Sequence, residues 1–185
     1  MRLVENRKLA WVVLAVCVVV SIFLLGGAAL SRERGQVLKV FNEGSNPSAP
    51  TRQSMDACLD NASGQAKIMV SEAELHLGES ELTRAMRANA EILDSDLSSL
   101  DSRYAAYTDL KDQVERLYNQ LYGAVDQATF KNFKMAYDDF WGQDDMMGRD
   151  PYHKLAKGYN ELISGFPGGL VATLTRQGAL NTFGG

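Results

Sequence analysis

The sequence, 185 residues long, predicts an all-α protein with a single N-terminal transmembrane helix followed by an antiparallel bundle of long helices. Three observations support this fold class. Residues 9–30 form an uncharged apolar run, residues 51–150 contain no proline and only nine Val, Ile or Thr, and apolar side chains recur there at intervals of three and four. Because helix interiors exclude proline and strands favour β-branched residues, this long segment is predicted to be helical.

The apolar run Leu9–Leu30 has the length of a membrane span. At about 1.5 Å per residue, the run extends roughly 33 Å as a helix, enough to cross a bilayer core of about 30 Å. It exceeds the roughly 7–15 apolar residues of a cleaved signal peptide, so we prefer a retained single-pass anchor in the cell membrane. The head, residues 1–8, carries more basic residues than the other flank, so the N-terminus is predicted to be cytoplasmic and the soluble domain extracytoplasmic.

The remainder of the chain is acidic. Residues 31–185 carry 16 Lys and Arg against 22 Asp and Glu. This balance argues against nucleic-acid binding, which requires a concentrated positive face. The two cysteines, Cys17 and Cys58, are too few for a disulfide framework or a cysteine-rich zinc site.

Prolines and glycines, which end helices, divide this part of the chain into segments. Residues 31–50 form a juxtamembrane segment with a loop at Pro47 and Pro50, residues 51–169 the bundle, and residues 170–185 a C-terminal tail. One apolar stripe runs to Leu77, where Gly78 ends the helix and Ser80 can cap the next. A second stripe runs through Leu82, Met86, Asn89, Leu93, Leu97, Leu100, Tyr104 and Tyr107, and on to Val125, which predicts long helices packed side by side.

Three shorter segments are predicted after the second stripe. They are a helix over residues 130–141, a loop over residues 142–150, and a last helix from Pro151 to Gly165 that Pro167 stops. The late aromatic residues fall at helical spacing, which favours core packing over a ligand pocket.

The sequence carries no recognisable catalytic motif, and His76 and His153 are interpreted as boundary or surface residues. Its densest polar cluster lies in the predicted loop. The preferred interpretation is a solvated acidic turn in which Asp150 caps the last helix. The alternative is a metal site, whose candidate ligands are Asp144, Asp145, Asp150 and His153. No cofactor is expected.

The predicted last helix carries a spaced set of residues: Arg149, Tyr152-His153, Tyr159-Asn160 and Phe166-Pro167. This set resembles the C-terminal signature of the LemA family of bacterial membrane proteins, with His153 in place of the first asparagine of two Tyr-Asn pairs. Residues 107–111 are similar to the family's Tyr-Pro-x-Leu-Lys element, and Phe41-Asn42 to its juxtamembrane Tyr-Asn. The family's arginine-rich segment after the anchor is missing.

The signature also has a physical interpretation. Tyr152, Tyr159 and Phe166 are seven residues apart, so they are predicted to line one helix face and pack into the bundle. Asn160 is predicted to hydrogen-bond a neighbouring helix and fix its register.

The resemblance implies an anchored antiparallel helical bundle and brings no catalytic residues. We prefer a structural or scaffold protein that sits in the lipid bilayer and binds other proteins, or further copies of itself, because this function requires no cofactor. The alternatives are an extracytoplasmic bundle that senses a ligand or metal, and an enzyme.

Overall fold

The computed structural model describes residues 7–45, 53–95 and 97–183. This part of the chain contains seven α-helices and no β-strand, which confirms the predicted fold class. The helices are α1 (Arg7–Glu43), α2 (Met55–Leu77), α3 (Glu81–Asp94), α4 (Leu100–Leu121), α5 (Gln127–Gly148), α6 (Tyr152–Ser164) and α7 (Gly168–Thr175). Most of the basic head and the loop at Pro47 and Pro50 lie outside the described residues.

Helix α1 is the one described helix that is long and apolar enough to cross a membrane. It does not end with the apolar run at Leu30 but continues for 13 more residues to Glu43. Most of the large apolar side chains of its first half are exposed, and Phe23 is partly buried. A helix that is apolar on all its faces and exposed in this way matches a lipid-facing segment.

The chain forms two compact units, one of which contains α2–α5 with the end of α1, the start of α6 and the last residues of the tail. Its four complete helices are antiparallel neighbours, because contacting positions rise along one helix as they fall along the next. The pairs are Glu74–Arg87 and Lys67–Asp94 between α2 and α3, and Tyr107–Asp144 and Glu115–Tyr137 between α4 and α5.

Local chemistry sets the bounds of α2 and the start of α3, and Gly78 and Ser80 act there as predicted. The Ser54 hydroxyl accepts a hydrogen bond from the backbone N–H of Ala57 at the start of α2. Gly78 ends α2 with φ of 76°, a left-handed conformation that glycine adopts without strain. Ser80 and Thr83 then form a reciprocal capping box at the start of α3.

The second stripe is divided between two helices, and its prediction was wrong at Leu97. Helix α3 ends at Asp94 and α4 begins at Leu100. Leu97, which the stripe places in the core, is 97% exposed. The Ser99 hydroxyl accepts the backbone N–H of Ser102 and starts a new helix. The serine-rich connection breaks the helix because such side chains compete for backbone hydrogen bonds.

The predicted loop over residues 142–150 was also wrong, because α5 continues to Gly148. Residues 144 and 145 therefore lie on a helix rather than in an acidic turn. Phe140 and Met147 lie on one face of this helix and are fully buried. Their burial outweighs the roughly 1 kcal/mol that each interior glycine costs a helix.

The other unit contains α1 up to Leu38 together with residues 155–180. Leu30 of α1 packs there against Val171 and Ala172 of α7. The predicted tail thus begins with a helix. Phe166, predicted to pack with Tyr159, is 88% exposed because α6 ends at Ser164, two residues before it.

Candidate functional site

Aromatic side chains from separate parts of the chain meet in the unit that contains α2–α5. Phe41 from the end of α1 lies 5.2 Å from the ring of Tyr152 and 5.6 Å from that of Phe183. Tyr107 lies 6.0 Å from the ring of Phe140 and 6.3 Å from that of Phe183. All five are buried, and we call them the aromatic cluster. Ring pairs at such separations stabilise a core beyond the area that they bury.

Asp144 forms the polar side of the aromatic cluster. Its Oδ1 atom accepts a hydrogen bond from the Tyr107 hydroxyl at 2.7 Å and one from Lys111 Nζ at 3.1 Å. Lys111 Nζ also lies 5.8 Å from the ring centre of Tyr107 and 5.7 Å from that of Trp141. Burial, together with the hydrogen bond and charge of Asp144, raises the pKa of Tyr107 well above its usual value. The Tyr107 hydroxyl therefore stays protonated and acts as a donor.

Arg103 links α4 to α2 beside the same cluster. Its guanidinium pairs with Asp56 and lies 3.3 Å from Asp60. The guanidinium carbon is 5.9 Å from the ring centre of Phe41, and the side chain is only 12% exposed. A charge this buried requires such partners, because an unpaired one is strongly destabilising. Arg103 therefore has a structural role, in which it holds α4 against α2.

The four candidate metal ligands are not brought together. Among the described residues, no group of three or more His, Cys, Asp or Glu side chains could hold a metal ion. Asp145 pairs with Arg149, and His153 Nε2 lies 2.7 Å from the carbonyl oxygen of Met147. Asp150 accepts the backbone N–H of Tyr152 at 2.8 Å, so its predicted role at the start of the last helix is confirmed.

The signature residues have distinct environments. The Tyr152 hydroxyl donates to the carbonyl of Asn181 at 2.8 Å, and the buried Tyr159 donates to Gln177 at 3.4 Å. Arg149 is exposed, as are Phe166 and Pro167. The prediction that all three aromatic residues of the signature pack inward therefore holds only for Tyr152 and Tyr159.

Asn160 hydrogen-bonds a neighbouring segment, but that segment is not a helix as predicted. Its Nδ2 atom donates to the carbonyl of Leu180 at 2.9 Å, and its Oδ1 atom accepts the backbone N–H of Leu180 at 2.8 Å. Within a helix these backbone groups would be occupied, whereas residue 180 lies outside any helix and has both available to bond. Asn160 therefore fixes the position of the tail.

Sequence reasoning missed the inward packing of the tail. Leu180 and Phe183, three residues apart, are both buried, although no specific contact was predicted for the tail. The available signal was a pair of large apolar residues in a segment otherwise rich in small and polar ones. Phe41 was noted only for its likeness to a family element.

The buried thiol of Cys58 is suited to packing rather than to nucleophilic chemistry. Burial and, to a smaller extent, the charge of Asp150 raise its pKa to about 11. The thiolate is the reactive species, and at neutral pH the Cys58 thiol is protonated.

Taken together, the aromatic cluster, Arg103, Asp144 and Asn160 hold separate segments of the chain together.

Comparison with known proteins identifies no relative. No protein-family model matches the chain, and neither a curated protein nor a solved structure does. The aromatic cluster, its polar partners and the apolar helix α1 are the observations from which a function can be inferred.

Proposed function

We propose that this protein is a divergent LemA-like helical bundle that α1 anchors in the cell membrane and that acts as a scaffold or protein-interaction module. The N-terminus lies in the cytoplasm and the bundle outside. The bundle binds other proteins, and catalysis is not part of this function.

The observation that carries this proposal is the convergence of the three separate segments that resemble the family. Phe41, Tyr107 and Tyr152 come from the juxtamembrane element, the central element and the C-terminal signature. All three rings belong to the aromatic cluster, where Phe41 contacts Tyr152 and Phe183 contacts both Phe41 and Tyr107. The contact of these residues in space supports the proposal that the chain has the same core as the family that its sequence resembles.

A polar groove between α3 and α4 offers a surface for a basic protein partner. It has a volume of about 380 Å³, and its lining includes the carboxylates of Glu81, Asp109 and Asp112, together with Arg116, which pairs with Asp112. All three acidic residues are exposed. Three carboxylates against one arginine leave the groove with a net negative charge, which attracts a basic partner and sets its orientation more than its affinity.

Matched charge reversals test this function. The variant E81K/D109K reverses two carboxylates of the groove, whereas E91K/D139K reverses two exposed carboxylates elsewhere and changes the net charge equally. After affinity purification of the detergent-solubilised full-length protein, partners of the wild type should be retained by E91K/D139K and lost by E81K/D109K. Equal retention by both variants would contradict a role for the groove. A partner held by charge should be released at high salt. If neither the wild type nor either variant captures such a protein, the proposed interaction function is wrong.

The second function considered, sensing of a metal or ligand, has no specific support. Its candidate metal ligands are engaged with neighbouring protein groups, and no described cluster replaces them.

A further inference from the structure

A short apolar stretch near the C-terminus exposes a row of large side chains. Residues 162–175, which we call the apolar arm, contain no charged residue and join the end of α6 to α7. Leu162, Phe166, Leu170 and Leu174 are four residues apart and are each more than half exposed. Four large apolar side chains exposed within so short a segment indicate a binding face.

The apolar arm packs on the part of α1 that is apolar enough to span a membrane. A Cβ atom added to Gly26 would lie 3.3 Å from Val171, and one added to Gly27 would lie 2.8 Å from Thr175. Leu30 completes the contact with Val171 and Ala172. Close approach at small residues is the usual way in which helices associate within membranes.

The position of this contact along α1 sets its depth. Gly26 precedes the first charged residue after the run, Arg32, by six positions, or about 9 Å of helix. The arm and α1 also line an open cleft of about 440 Å³, which runs from Glu33 and Glu161 at its charged end to Ile22, ten positions from Arg32 or about 15 Å. Half of a bilayer core is about 15 Å thick, so the arm lies at the level of one leaflet.

Several polar groups of the arm are paired with other groups of the same segment. The hydroxyls of Thr173 and Thr175 donate to the carbonyls of Gly169 and Val171, each at 2.8 Å. At the turn between the helices, Gly169 N–H bonds the carbonyl of Gly165, while Pro167 has no N–H to satisfy. An unsatisfied backbone group would cost several kcal/mol in hydrocarbon, so this internal pairing suits a lipid environment.

We propose that the apolar arm is a second membrane-inserted element, which lies against α1 in the leaflet at the Arg32 end of the apolar run and contacts lipid acyl chains through its exposed leucines and Phe166. This inference rests on the proposed retention of α1 as an anchor. The exposed Arg176 directly follows the arm and lies on the headgroup side. The arm thus gives the protein two points of contact with one leaflet.

Site-specific fluorescence in liposomes tests this proposal. Full-length protein with Cys17→Ala is reconstituted in phosphatidylcholine and phosphatidylglycerol, and one cysteine is introduced for an environment-sensitive label. Leu170→Cys reports on the arm, Leu24→Cys on α1 and Leu75→Cys on the exposed surface of α2. Without an introduced cysteine, the protein is the labelling blank, because Cys58 is buried. Leu174→Cys is a second probe of the arm.

The readout is loss of fluorescence on adding lipids that carry a nitroxide on the acyl chain. We expect quenching at residues 24, 170 and 174 and none at residue 75. Quenching at residue 24 without quenching at residues 170 and 174 overturns the inserted arm and leaves the anchor intact. A blue-shifted but unquenched label on the arm also overturns it and identifies a second protein copy as the occupant. Absence of quenching at all positions overturns the anchor, and the inserted arm with it.

Discussion

Asp144 is the residue on which the polar side of the aromatic cluster depends, since one carboxylate oxygen accepts bonds from both Tyr107 and Lys111. We predict that Asp144→Ala lowers the free energy of unfolding by about 2–3 kcal/mol, because it leaves a hydroxyl and an ammonium group without their acceptor. Asp112→Ala is the control, since it removes an exposed pair with Arg116 and should cost only about 0–1 kcal/mol. Chemical denaturation in detergent measures both. Equal losses would place Asp144 among ordinary surface carboxylates.

Tyr137 gives the bundle a predictable response to alkaline pH. Burial and the hydrogen bond to Glu115 raise its pKa to about 12, against about 10 in an unfolded chain. Because the folded-state pKa is the higher one, this contribution to stability is complete below about pH 10 and is lost as the pH rises from about 10 to about 12. We predict a smaller loss of stability over this range for Tyr137→Phe than for the wild type. Denaturant midpoints measured at successive pH values provide the test, and parallel curves would contradict it.

At the scale of helices, local chemistry was a reliable guide where one residue type decides the backbone conformation. Gly78 and Ser80 mark the end of α2 and the start of α3 because a left-handed residue and a hydroxyl cap act within a few positions. Apolar spacing was a poorer guide. The spacing of apolar residues placed Leu97 on the second stripe. Periodicity does not reveal that the neighbouring serines compete for backbone hydrogen bonds and end the helix there.

The break between α3 and α4 can be tested with two leucines of the same predicted stripe. Leu93 is fully buried and Leu97 is 97% exposed. We predict that Leu93→Ala lowers the free energy of unfolding by about 2–5 kcal/mol, the range for emptying a buried leucine site. Leu97→Ala should change it by no more than about 0.5 kcal/mol. Thermal or chemical unfolding measures the stability of both variants. Comparable losses would contradict the break between α3 and α4 and indicate that Leu97 is buried as well.

The candidate site was less predictable than the helices because its members meet only in the folded chain. The role of Asp150 at the start of α6 could be derived from two adjacent residues. The partners of Asp144 depend on how α4 packs against α5, and sequence spacing within α5 does not contain that information. Phe41 and Phe183 are separated by 142 positions, so no local pattern links them.

For the whole molecule, the aromatic cluster joins a residue near the end of α1 to one near the end of the chain. Phe183 is fully buried, and its ring contacts those of Phe41, Tyr104 and Tyr107. We predict that Phe183→Ala lowers the free energy of unfolding by about 3–5 kcal/mol. The exposed neighbour Thr182 is the control, since Thr182→Ala should stay within about 0.5 kcal/mol. If both variants unfold together with the wild type, the tail is not part of the core.

The side of the membrane on which the bundle lies determines which partners it can reach. The head carries Arg2, Arg7 and Lys8, whereas the other flank of the apolar run carries Arg32 and Arg34. Because basic residues are retained in the cytoplasm, we predict that the bundle lies outside.

A cysteine on the bundle surface tests this orientation. Leu75→Cys presents a thiol on an exposed part of α2, whereas the native Cys58 is buried and should not react. A membrane-impermeant maleimide added to intact cells should label this variant and leave the wild type unlabelled. Labelling only after the membrane is broken would place the bundle in the cytoplasm, and the basic partners of its acidic groove would then have to be sought inside the cell.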